Sequence, residues 1–130
     1  MSSGFTATDF DVVEENGVLV TGLGAPSTED RDFYLTLQHK DKHSESDVSF
    51  GWGKPYIEYC GQGWSWYGHI ESFELFRDHV VVQMDSEAAA RMQDDGHIEV
   101  RFDLGEEEFS KLRHALERTF KGVSYFAVKV

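Results

Sequence analysis

The sequence has one cysteine, Cys60, among its 130 residues. That excludes an internal disulfide and the usual multi-cysteine zinc sites. No apolar run approaches the ~20 residues of a membrane span. The opening MSSGFTATDFDVV has neither a basic n-region nor a continuous apolar h-region, which argues against a signal peptide. The cytoplasm is therefore the expected compartment. Basic side chains are also scarce: 12 Lys and Arg face 24 Asp and Glu, a net charge of −12. The deficit is spread along the chain, with 4 basic against 11 acidic residues in 1–65 and 8 against 13 in 66–130. An acidic tail is excluded, and the whole folded surface should be negative. Such a surface disfavours nucleic acid and anionic lipid. It suits solubility and, more specifically, a basic protein partner.

What is present is the composition of a globular chain, 40% hydrophobic and 14% aromatic, of a length that fits a single domain over 1–130. Asn16-Gly17 separates FTATDFDVV from VLVTGL, and Asn-Gly between β-rich runs predicts a hairpin pairing residues 5–13 with 18–23. GAPSTED (24–30) reads as a loop. FYLTLQ (33–38) alternates with period two, a half-buried strand, and HKDKHSESD (39–47) reads as a solvated loop. PYIEYC and SWYGHI begin further strands, and Arg77-Asp78 turns the chain into HVVVQMD (79–85). SEAAARMQ (86–93) predicts a short helix with Ser86 as its N-cap.

HIEVRFDL (97–104) sets Ile98, Val100, Phe102 and Leu104 on one face. From Glu106 the period changes. Phe109, Leu112, Leu116 and Phe120 fall on one helical stripe, acids sit at the N-terminal end and bases toward the C-terminal end, and Gly122 reads as a C′ glycine. VSYFAVKV (123–130) alternates weakly, as a last strand. The pattern predicts an α+β, mostly β fold: a largely antiparallel sheet of about seven strands with one long C-terminal amphipathic helix packed on it.

Catalytic chemistry finds little support. His39 and His43 have metal-ligand spacing only on a helix, and their segment reads as loop. His69, Glu71, Asp78 and His79 fit strand-surface positions better than an acid–base pair. Cys60 has no base nearer than Lys54 and His69 and reads as a buried or half-buried thiol. Gly61, Gly63 and Gly68 form no phosphate loop. No enzyme, metal or cofactor is expected. The aromatic stretch 52–67 remains. Its rings fit core packing, or they anchor a partner, as aromatic hot spots do. The candidate partner-binding residues are Trp52, Trp64, Trp66 and Tyr67.

The order of these pieces resembles the immunity protein 10 family of bacterial polymorphic-toxin systems. The resemblance spans residues 33–122 and is carried by YLTLQ, GKPYIEYCGQG, WYGHIESFEL, HVVVQMD, HIEVRFDL and EEFSKLRHALERTF. His69 stands where a second small residue is expected. The resemblance implies a cytoplasmic antidote that binds a cognate toxin domain stoichiometrically, without a cofactor. It carries no toxin-binding residues onto this chain. The alternative from the residues alone is a small-molecule or carbohydrate-binding β domain using stretch 52–67.

Overall fold

The computed structural model describes residues 3–26, 33–40, 55–60 and 65–130. Among these, ten strands form two five-stranded sheets. The first sheet is an antiparallel meander of β2 (Asp9–Glu15), β3 (Val18–Ala25), β4 (Phe33–Lys40), β5 (Tyr56–Tyr59) and β6 (Ser65–Tyr67). The second is mixed. Its centre is antiparallel: β7 (Ile70–Leu75), β8 (His79–Met84) and β9 (His97–Arg101). Its edges are parallel, with β1 (Ser3–Thr6) beside β9 and β10 (Phe126–Val128) beside β7. Two helices follow the same chain order, α1 (Ser86–Met92) and α2 (Glu106–Thr119).

The meander follows from period-two patterning. Asn16 and Gly17 take the positive φ that a two-residue hairpin demands, and Glu15 pairs with Val18 across it. Register then aligns the apolar positions in rows across the sheet. Thr21, Leu37, Ile57 and Trp66 form one inward row, and Leu23, Leu35 and Tyr59 form the next. A one-residue slip would turn every one of these outward, so the pattern specifies the pairing.

The expected single sheet of about seven strands with one helix is not what forms. The run 5–13 breaks at Ala7-Thr8, where consecutive amides serve different sheets. The Ala7 N–H donates to Arg101 O at 2.7 Å, and the Thr8 N–H donates to Gly24 O at 2.8 Å. The four residues before the break cross to β9. Gly4 makes that approach possible, since a Cβ there would stand 2.2 Å from Glu99 O. The C-terminal run likewise adds β10 to the far edge, held by Phe73 N–H to Tyr125 O and Lys129 N–H to Leu75 O. Parallel partners lie far apart in sequence, so alternation alone does not reveal them. The short helix is present, but its N-cap is Asp85, whose carboxylate accepts from the Ala88 N–H at 2.9 Å.

The long helix buries the expected face. Phe109, Leu112, Leu116 and Phe120 join Ala115 and Thr119 in the interior. α2 runs nearest β2, β3 and β4, and Arg118 reaches Glu14 on β2 at 2.5 Å. Its C-terminal end meets the other sheet, where the Phe120 ring lies 4.7 Å from Phe73 and 5.1 Å from Phe126. Apolar residues of both sheets and α2 form one cluster. That leaves the opposite face of the meander outside the core.

Candidate partner-binding face

Outward positions of the meander also align across the strands. Val13, Val20, Gln38, Tyr56 and Tyr67 form one row, and Asp11, Gly22, Thr36, Glu58 and Ser65 form the next. Val13 and Tyr67, at the two ends of the first row, are 43% and 44% exposed. Between them Val20, Gln38 and Tyr56 are half-buried, so the row is a continuous surface with its two ends most open. By alternation Asp9, Asp11, Glu15 and Glu58 project outward too, and among the described residues of these strands one cation, Lys40, shares the face, at a corner. The face is acidic with aromatic content.

A tyrosine–carboxylate group stiffens its centre. Glu58 accepts hydrogen bonds from both the Tyr34 and Tyr56 hydroxyls, the latter at 2.6 Å. The Tyr56 ring lies 5.1 Å from Tyr67. Burial, and then the Glu58 hydrogen bond, push the Tyr56 phenol above its ordinary pKa, so it remains a neutral donor at neutral pH. Beside this group, Gly22 and Gly24 leave a shallow groove lined by Asp9, Asp11, Tyr34 and Thr36. A second concavity, lined by residues 6–9 and 101–104, shares Asp9 with it. Neither contains Trp66 or Tyr67.

A family model described as Immunity protein 10 matches residues 5–110. The chain belongs to this family. As an immunity protein it neutralises a cognate toxin by stoichiometric binding, and it acts without catalytic turnover. No curated protein and no solved structure matches. The family match begins well before residue 33, where the sequence resemblance began, and so takes in β2, β3 and the last two residues of β1. The outward rows of the meander fall wholly within it.

In this immunity protein the four candidate anchors have different locations. Trp52 and Trp64 lie outside the described residues. Trp66 faces the core at 5% exposure, its Nε1 without a hydrogen-bond partner among the described residues. Tyr67, its neighbour, faces outward. The titratable candidates are not brought together as one site. His69 Nδ1 lies 2.8 Å from the Asp85 carboxylate that caps α1, whereas His79 pairs with Asp78 at 2.6 Å. His69 occupies a left-handed φ of 63°, the conformation that suits the small residue expected there. The Asp85 side chain and its N–H, which donates to His69 O at 2.8 Å, fix that turn.

Cys60 is half-buried, its Sγ 3.5 Å from Tyr34 O. His39, expected in a loop, pairs with Leu19 within β4, which runs on to Lys40, and His43 lies outside the described residues. Among the described residues no three His, Cys, Asp or Glu groups cluster for a metal. Sequence reasoning passed over Asp9, Asp11, Gly22, Gly24 and Tyr34. The signal was two glycines inside an otherwise β-favouring run, which often marks a close approach by another group.

Proposed function

We propose that this immunity protein blocks a basic toxin domain in the cytoplasm, meeting it through long-range charge attraction and holding it through surface aromatics such as Tyr67. The observation that carries this reading is the net charge of −12 distributed over the whole chain. Toxins that act on nucleic acid tend to be basic, and opposite fields raise association rates from ~10⁵–10⁶ M⁻¹s⁻¹ toward 10⁸–10⁹ at low salt. The same field repels nucleic acid and anionic membranes, so neither is a partner. Among the described residues no helix is long and apolar enough to cross a membrane.

The test is surface plasmon resonance with the purified cognate toxin domain. Between ~0.01 M and ~1 M salt the screening length falls from about 30 Å to 3 Å, and the on-rate should fall by about tenfold or more. Binding should saturate at one to one. A salt-independent on-rate would remove the basic partner from the reading while leaving the immunity role in place.

A further inference from the structure

The two faces of the meander have different physical roles. Its inner face carries the core, packed against α2 and facing the second sheet's apolar residues. Its outer face keeps Val13 and Tyr67 exposed and, among the described residues, holds four carboxylates against one lysine.

Gly22 is the most telling residue on it. A Cβ built there would meet nothing within 4 Å, and its backbone is not among the positive-φ positions. The fold therefore has no steric need for glycine at this point. A β-branched side chain would suit the strand better, because glycine inside a strand costs backbone entropy and packs nothing. Gly24 next to it would place a Cβ only at ordinary contact distance from Phe33 O, at 3.5 Å. A strand that gives up side chains where the fold has room for them leaves its backbone open to another molecule. What lies across from these glycines states the chemistry. Asp11 and Asp9 flank them on β2, and Thr36 and Tyr34 flank them on β4.

We propose that the outer face of this sheet is the toxin-docking surface. A cationic, arginine-bearing segment of the cognate toxin domain lies across β3, with its guanidinium set between Asp9, Asp11 and the Tyr34 ring. This rests on the reading of the toxin as basic, and charge complementarity selects the occupant. Arginine fits better than lysine, since its planar fork bonds carboxylates in pairs and stacks on an aromatic face. Tyr67 and Tyr56, held at their mutual contact beside Glu58, form the aromatic end of the same surface. The segment thus finds carboxylates at one end of the face and rings at the other.

The test uses the full chain and the purified cognate toxin domain, with kinetics and urea denaturation read on the same preparations. Gly22→Val should fold with unchanged or greater stability yet bind the toxin about tenfold or more weakly. Asp9→Asn with Asp11→Asn should slow association and flatten its salt dependence. Glu107→Gln with Glu108→Gln removes the same charge from the exposed first turn of α2 and should slow association less. Salt-dependent wild-type binding that Gly22→Val leaves unchanged overturns the docking face and spares the basic-toxin reading. So does equal slowing by the two charge pairs. A Gly22→Val chain that does not fold overturns the premise of open space. Salt-independent wild-type binding removes the basic occupant and this proposal with it.

Discussion

Trp66 and Tyr67 are neighbours on a three-residue strand and point to opposite sides of it, which makes them a test of the whole division between core and surface. Trp66 is 5% exposed and pairs across the sheet with Ile57. Truncating a buried tryptophan to alanine costs about 3–5 kcal/mol, from lost transfer energy and the cavity left behind. Among the described residues its Nε1 has no partner to lose and β6 is an edge strand, which relaxes more easily than a central one, so about 3 kcal/mol is expected. With a urea slope of about 1–3 kcal/mol/M, the midpoint should fall by about 1–3 M.

Tyr67→Ala removes a half-open ring and its contact with Tyr56, a loss of about 1 kcal/mol or less in stability. Its effect on toxin dissociation should be larger: about 2 kcal/mol for an aromatic hot spot, or a thirtyfold faster off-rate. Urea denaturation and surface plasmon resonance on matched preparations separate the two outcomes. A Trp66→Ala chain that keeps its midpoint but loses the toxin would refute the assignment of faces. So would a Tyr67→Ala chain that loses more stability than Trp66→Ala.

Two further perturbations probe the frame beneath this face. Leu112→Ala, at a fully buried position on α2, should lose about 2–5 kcal/mol in urea denaturation, whereas His114→Ala on the exposed side should stay within about 0.5; equal losses would place the buried stripe wrongly. Burial raises the Asp85 pKa, but hydrogen bonds from the Ala88 N–H and His69 outweigh it and hold the carboxyl below its usual value. A depressed folded pKa stabilises the fold above the unfolded value, and that contribution is lost as pH falls through the folded one. Asp85→Asn should therefore be less stable than wild type near neutral pH, and the difference should shrink below about pH 4; a difference that grows in acid would reverse the sign of this interaction.

Local chemistry made much of this molecule readable. The Asn16-Gly17 hairpin, the 33–38 strand and the apolar stripe of α2 follow from turn preference and period, which operate over a few residues. The split into two sheets does not. Four residues of β1 and three of β10 carry no mark of their partners, and the change of sheet happens between two adjacent amides, Ala7 and Thr8. The candidate site shows the same boundary. Alternation places Trp66 and Tyr67 on opposite faces, but it does not say which is inside. The pairing of Trp66 with Ile57 decides it, and that pairing depends on the strands beyond. The same register turns Phe10 and Val12 inward, and with them Asp9 and Asp11 outward. The acids thereby acquire a common face that their separate positions in the chain only hint at.

An inhibitor that works by occupancy needs a surface already set in its bound shape, because every side chain ordered on contact subtracts from affinity. Here that ordering is built into the sheet. Glu58 accepts from two tyrosine hydroxyls, and the Tyr56 ring supports Tyr67, so the aromatic end is held by strands and hydrogen bonds. The carboxylate end sits on β2, which is fixed to its neighbour by the full-length pairing with β3. Charge acts over a screening length of ~8–10 Å and governs how often the partners meet, whereas rings in contact govern how long they stay. If this face docks the toxin, its two ends should separate in the kinetics: Asp9 and Asp11, which both steer and bond the arginine, should change on-rate and off-rate, whereas uncharged Tyr67 should change the off-rate alone. If Tyr67→Ala slowed association as much as the loss of both carboxylates, the ring would be contributing to steering, and the separation of steering from holding would fail.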